Sequence, residues 1–347
     1  MKGRVVVLGQ LRGREAAALM VDGRLEDLIL AAPEDTLAPG AICRAVVDRP
    51  VKGQGGVFVR LPEGNGFLRD TGGLAPGQSV LVQVAAGAEP GKALPVTTRL
   101  LFKSRYAIVT PGAPGLNVSR RIRDAETRTA LETLAERVMA GAGMGLILRS
   151  ACVLAEDDEI AEDITAMRDL AAAVLADAAG GPELLVDAPT PHEEAWRDWA
   201  EPAPDAVEDG PEAMLAHGVE EALATLLGPR VALPGGGHMM IEPTRALVAV
   251  DVNTGPDTSP AAGLKANIAA ARDLPRQLRL RGLGGQIIVD FAPMAKKDRA
   301  ALEQQLRAAF KGEAAETSLA GWTPLGNYEL SRKRDRLPLA HLLERAP

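Results

Sequence analysis

Arg245-Ala-Leu-Val-Ala-Val-Asp251-Val-Asn253-Thr254 and Gln286-Ile-Ile-Val-Asp290-Phe291 are two short apolar runs, each ending on an aspartate. Uninterrupted by charge, both read as fully buried strands, and the helical stretch and Gly-rich turn between them complete a strand, helix, strand unit. A right-handed crossover makes such strands parallel and neighbouring, so both carboxylates emerge at the same C-terminal edge of the sheet. Convergent carboxylates attract a divalent metal. Asn253, two residues beyond Asp251 in an extended chain, turns its amide to the same side and is placed to orient a water or a phosphate oxygen. The chemistry suggested is metal-assisted hydrolysis of a phosphodiester. The competing reading makes Asp251 a turn or helix-capping residue, a common fate of an Asp after a strand.

At 347 residues the chain has room for two or three small packed units, in series or interleaved. Hydrophobic residues make up 46% and aromatics 3%, so the cores must be built from Ala, Val, Leu and Ile. No apolar stretch reaches a membrane span, and Met1-Lys-Gly-Arg4 leads straight into Val5-Val-Val-Leu8 without a cleavable signal, so the expected location is the cytoplasm, with no membrane partner. Cys43 and Cys152 sit in separate apolar runs without C-x-x-C spacing and read as buried reduced thiols. A net charge of -7 argues against nucleic-acid binding by global charge. Basic residues nevertheless cluster at Arg120, Arg121 and Arg123, at Arg276, Arg279 and Arg281, at Lys296, Lys297 and Arg299, and at Arg332, Lys333, Arg334 and Arg336. Each cluster alone reads as solvated surface; several flanking one carboxylate pair suggest a polyanion track.

Along the chain, residues 3 to 31 read as a strand and a hairpin turning at Asp22-Gly23. From 41 to 100, short strand-like runs punctuated by Gly, Pro and Asp suit a small antiparallel barrel of the OB type. Phe58 and Phe67 lie on neighbouring strands there and either stack on bases or belong to the barrel core. A second α/β piece follows, with an amphipathic helix near 124 to 140, Gly145-Leu-Ile-Leu-Arg149-Ser150, and a long helix from about 157 to 179 stopped by Gly180-Gly181-Pro182. The Pro-rich, acidic stretch 188 to 211 reads as a loop, and a helix is expected over 212 to 227. His238, at the end of a Gly turn, reads as a turn residue facing solvent.

Ala246-Leu-Val-Ala-Val-Asp251-Val-Asn253-Thr-Gly255, Arg276-Gln-Leu-Arg-Leu-Arg-Gly-Leu-Gly-Gly285 and Ile287-Ile-Val-Asp290-Phe291 together closely resemble the catalytic core of the ribonuclease E/G family. The likeness extends to Val21-Asp-Gly-Arg24, Val118-Ser-Arg-Arg-Ile122, Gly143-Met-Gly-Leu-Ile-Leu-Arg149, Leu233-Pro-Gly-Gly-Gly237 and Tyr328-Glu-Leu-Ser-Arg-Lys-Arg334, with 189 to 211 as its clearest gap. It implies an α/β chain in which an RNase H-like domain is split by an inserted OB-fold barrel and accompanied by a region that senses the RNA 5' end. The corresponding boundaries are 1–38 and 212–347 for the RNase H-like domain, 39–100 for the barrel, 101–187 for the sensor region and 188–211 for the loop.

Carried over residue by residue, the resemblance implies that Asp251 and Asp290 bind catalytic magnesium, with manganese as an alternative, and that Asn253 orients a group at the scissile phosphate. It implies a 5'-monophosphate pocket at Arg149 and Ser150, and RNA contacts from Phe58, Phe67, Lys92, Arg120 and Arg121. Taken alone, Arg149 fits a structural ion pair equally well. The implied activity is an endoribonuclease that cuts single-stranded RNA, leaving 5'-phosphate and 3'-hydroxyl ends; the alternative is a family member that binds RNA without useful turnover. The sequence ends at Pro347 without the family's zinc-binding C-P-x-C motif, so the expectation is a monomer or dimer, with no zinc and no zinc-linked tetramer. Pro293 and Ala269 stand where the family has acidic residues, which thins the negative field around the expected metal.

Overall fold

The computed structural model describes residues 3–344 apart from 35, 52–54, 70–71, 89–90, 258 and 260. The chain forms two compact units: Met1–Leu30 with Val207–Pro347, and Ala31–Ala206. No helix among the described residues is long and apolar enough to cross a membrane.

The first unit holds two sheets. Strands Arg4–Leu11, Arg14–Val21 and Arg24–Leu30 form an antiparallel meander, with Ala206–Asp209 beside the first strand. Two tight turns make the meander, Asp22-Gly23 as expected and also Arg12-Gly13. All four turn residues have positive φ, the backbone that matches a two-residue hairpin turn to strand twist.

The larger sheet runs Arg230–Ala232, His238–Pro243, Val248–Asn253, Gly285–Asp290, Tyr328–Arg332, Thr317–Trp322 in spatial order. Val248–Asn253 and Gly285–Asp290 pair in parallel, as the strand, helix, strand reading requires, and the other neighbours are antiparallel. Helices Ala262–Leu280 and Arg299–Phe310 contribute Ala270, Leu274, Leu278, Leu302 and Leu306 to the core against Val248, Val250, Val252, Ile287 and Val289. The two central strands are not buried on both faces, contrary to the expectation from their unbroken apolar runs. Ala249, Asp251 and Asn253 alternate with the buried valines and lie on the other, more open face. Alanine at 249 hides this alternation in the sequence because it is apolar and yet tolerates partial exposure.

In the second unit, Ile42–Pro50, Val57–Arg60, Asn65–Leu68, Leu94–Thr97 and Ser79–Val84 close into a five-stranded OB-like barrel, since Ile42–Pro50 also pairs with Ser79–Val84. Its core is aliphatic, from Ala45, Val47, Val59, Leu68, Val82 and Val96. The mixed α/β architecture with this barrel is the fold class expected. A second sheet, Leu116–Val118, Gly145–Leu148, Ala107–Thr110 and Phe102–Lys103, packs with helices Ala125–Met139 and Asp157–Ala176.

Two expected elements differ. The stretch expected to be a loop over 188–211 contains helix Pro191–Trp199 as well as strand Ala206–Asp209. Thr190 accepts from the Glu193 N–H at 3.3 Å while the Glu193 carboxylate accepts from the Thr190 N–H at 2.8 Å, a capping box that proline content obscures; Pro191 at the first helical position has no N–H to satisfy. The single helix expected over 212–227 is two, Ala213–Ala216 and Val219–Leu226, parted at Gly218, whose φ of 68° no helix continues through.

Candidate active site

Asp251 and Asp290 are register partners across the parallel pair, so their side chains leave the same face side by side. Both are exposed. Asn253, two residues on and on the same face, donates from Nδ2 to Asp251 Oδ2 at 2.7 Å, which fixes the carboxylate and leaves a second amide hydrogen available. The structure thus brings together all three residues singled out for the chemistry. The donors are hard oxygens: two carboxylates and the Asn253 carbonyl. Among the described residues no group of three or more His, Cys, Asp or Glu side chains is arranged to hold a metal. A cation here would keep several waters or take phosphate oxygens, which fits magnesium or manganese.

The backbone behind Asp290 is held by a residue that the sequence reading passed over. Asn267, fully buried in helix Ala262–Leu280, donates to the Ala292 carbonyl and accepts from the Ala292 N–H, both at 2.9 Å. Gly263, one turn earlier, lets the helix approach this segment: a Cβ there would stand 2.1 Å from the Pro293 carbonyl oxygen. The signal in the sequence was a lone Asn on the apolar face of an Ala- and Leu-rich helix. His238 also departs from its expected place. Rather than ending a turn in solvent, it opens strand His238–Pro243 as the register partner of Asn253, and its Nδ1 is buried without a hydrogen-bond partner.

The arginine clusters mostly turn inward. Arg276 reaches Asp273 and the Leu25 carbonyl, Arg279 reaches Glu26 and Glu313, Arg332 reaches Glu313, and Arg336 reaches Asp27. Arg281 is buried against Gln277, and burial, with Arg276 nearby, lowers its pKa to about 10. These residues clamp the first unit instead of forming the polyanion track expected of them. Arg120, Arg121, Arg123, Lys296 and Lys297 are exposed.

On the barrel, Phe58 and Phe67 are register partners with ring centroids 5.8 Å apart. They alternate with the core residues Val57, Val59 and Leu68 and are themselves half-buried on the outer face, so the core alternative does not describe them. The Arg49 guanidinium lies 5.5 Å from the Phe58 ring centroid. Gly56 seats Phe67, since a Cβ at its φ of +108° would stand 2.7 Å from the ring. Lys92 is exposed, near the barrel strand Leu94–Thr97.

Arg149 and Ser150 follow strand Gly145–Leu148. Arg149 Nη2 donates to Asp198 Oδ1 at 2.6 Å, and Nη1 donates to the Ser104 carbonyl at 2.8 Å and the Arg197 carbonyl at 3.2 Å. Burial pushes the Asp198 carboxyl up, but the Arg197 and Arg149 guanidiniums outweigh it and hold it below the usual carboxylate range. Cys43 and Cys152 are free and buried in different cores; burial raises their thiols to about 11 and about 12, so both stay protonated at neutral pH.

Among known proteins, the chain is 30% identical to the protein named ribonuclease E of Nostoc sp., over 92% of this chain and 54% of that relative. It is 29% identical to ribonuclease E of Synechocystis sp., over 92% and 55%, and 30% identical to ribonuclease G of Salmonella typhimurium, over 77% and 62%. It therefore spans between about half and three-fifths of the relatives it matches. The sequence model of the ribonuclease E/G family matches residues 102–208 and 205–335, a range that takes in Arg149, Asp251, Asn253 and Asp290. On that match, the chain belongs to the ribonuclease E/G family.

Proposed function

We propose that the chain is an endoribonuclease that cuts single-stranded RNA with the help of magnesium or manganese, leaving 5'-phosphate and 3'-hydroxyl ends. The observation that carries this reading is the in-register pair Asp251 and Asp290 with Asn253 bonded to Asp251. The two carboxylates would hold the cation, which supplies charge stabilisation at a phosphoryl oxygen and acidifies a bound water. Asn253 keeps Asp251 in one orientation and turns its remaining amide hydrogen toward a phosphate oxygen. Asn267 holds the chain just beyond Asp290, so that carboxylate is set before substrate arrives. Phe58 and Phe67 offer two half-exposed rings for base stacking, and Lys92, Arg120 and Arg121 offer exposed cations for phosphates. Arg149 and Ser150 form the candidate seat for a 5'-terminal phosphate.

The test is cleavage of a labelled single-stranded RNA with magnesium, with manganese and with chelator, for the parent, Asp251→Asn and Asp290→Asn. Cutting should require metal, and each variant should lose at least about 100-fold in rate, because one of the two proposed carboxylate ligands is gone. A well-folded parent that binds RNA but cuts under no metal condition would replace the hydrolase reading with that of an RNA-binding family member.

A further inference from the structure

The arginines that clamp the first unit each meet a protein oxygen, and Arg299 does not. It opens helix Arg299–Phe310, and its guanidinium lies 4.2 Å from the Trp322 ring centroid. Among the described residues that guanidinium has no carboxylate or carbonyl partner, although Arg299 is half-buried. A partly desolvated cation is ordinarily offset by an anion, whereas this one rests on an aromatic ring with its hydrogen-bond fork unused.

The rings around Arg299 fix its place at the strand ends that carry the candidate active site. Trp322 packs edge to face with Tyr328, centroids 5.3 Å apart, and lies 5.8 Å from Phe291, the residue after Asp290. Tyr328 is the register partner of both Val289 and Trp322, so the turn over 323–327 leaves the sheet at the same edge as Asp290. Hydrogen bonds between Thr323 and Asn327 and between Gly326 and Thr323 close that turn. It lies against the guanidinium, since a Cβ on Gly326 would stand 3.6 Å from Arg299 Nη2. At its tip Leu325 is 93% exposed, an apolar surface on a fixed turn. Between Asp290 and Arg299 the chain adds Lys296 and Lys297, both exposed, with Asp298 as the one carboxylate of that segment.

A site for single-stranded nucleic acid needs charge for phosphates and an apolar face for bases, and both stand here beside one strand end. We infer that Arg299, stacked on Trp322, binds an RNA phosphate flanking the scissile one, with Lys296 and Lys297 on the neighbouring backbone and Leu325 against a base. The ring sets the guanidinium in place before RNA arrives, so little side-chain freedom is lost on binding. The inference rests on the reading of the chain as one that acts on single-stranded RNA.

The test is binding of a 3'-labelled single-stranded oligoribonucleotide to the full chain in chelator, read by fluorescence anisotropy over a series of salt concentrations. Arg299→Gln should weaken binding about tenfold and reduce the slope of log affinity against log salt by about 0.7, the value of one single-strand phosphate contact. Trp322→Leu keeps the apolar packing and the charge, and should weaken binding about threefold with the slope retained. Lys311→Gln removes an exposed cation at the far end of the same helix and should change neither quantity. A folded Arg299→Gln variant with parental affinity and slope overturns the inference, as does an equal loss of slope in Lys311→Gln, which would mark the effect as general charge. If Arg299→Gln is not folded by circular dichroism, Lys296→Gln combined with Lys297→Gln decides instead, and a parental slope there overturns the inference. A parent that binds no single-stranded RNA sinks the underlying reading and the inference with it, whereas a binding parent matched by Arg299→Gln sinks the inference alone.

Discussion

Asp251 and Asp290 are each positioned by a neighbouring asparagine. Asn253 restrains one carboxylate through a 2.7 Å hydrogen bond, and Asn267 restrains the chain beyond the other through two bonds of 2.9 Å. Replacing Asn267 by Ala would strand both the N–H and the carbonyl of Ala292 in a buried place and cost about 2 to 4 kcal/mol. Because the segment after Asp290 would then relax, kcat for RNA cleavage should fall more than KM changes. Urea unfolding and steady-state kinetics on the one variant check both parts; unaltered stability would show that the clamp contributes nothing. The position was legible only as a polar residue on an apolar helix face, because the sequence does not disclose which backbone group such a residue meets. His238 is a similar case, since its partner Asn253 is fixed by strand register rather than by spacing along the chain.

At the scale of elements, alternation and capping decide what is exposed. The barrel strands Val57–Arg60 and Asn65–Leu68 each place one Phe outward between inward aliphatic residues, and register brings the two rings together. Phe58→Ala and Phe67→Ala should each weaken single-stranded RNA binding by about 1 to 3 kcal/mol, measured by anisotropy, with the folded barrel retained. If instead the melting point drops while the folded fraction binds as before, the rings serve packing and not RNA. Period-two patterning was too short over four residues to separate these outcomes in the sequence. Helix Pro191–Trp199 teaches the opposite lesson: Thr190-Pro-His-Glu193 spells a capping box, but the surrounding prolines and acids read more loudly as a loop.

Across the molecule, segments far apart in sequence are joined by ion pairs within the first unit. Asp273 accepts from Arg24 at 2.6 Å, from Arg276 at 2.8 Å and from Gln277 at 2.9 Å, which links the N-terminal meander to helix Ala262–Leu280. Burial raises the Asp273 carboxyl, but Arg276, Gln277 and Arg24 together pull it below the usual range. A carboxyl whose folded value lies below its unfolded value of about 3.9 adds stability above that pH and loses it as pH falls through the folded value. Asp273→Asn should therefore cost about 3 kcal/mol near neutral pH and flatten the loss of stability between about pH 4 and the lower folded value, both read from denaturant midpoints across pH. A parallel downward shift at every pH would assign the effect to hydrogen bonding alone.

By itself, the sequence determined the strand, helix, strand unit around Asp251 and Asp290, the barrel of short strands, the buried cysteines and the family, because each is written locally in apolar runs, turn residues and spacing. Only the tertiary structure decided which charges face solvent and which face the protein. Arginines of equal appearance along the chain become clamps at Arg276, Arg279 and Arg336 and exposed cations at Arg120 and Arg121. The physical reason is that a guanidinium takes its role from the oxygen it meets, and at Arg149 that oxygen belongs to Asp198, 49 residues away in sequence and brought back by the fold.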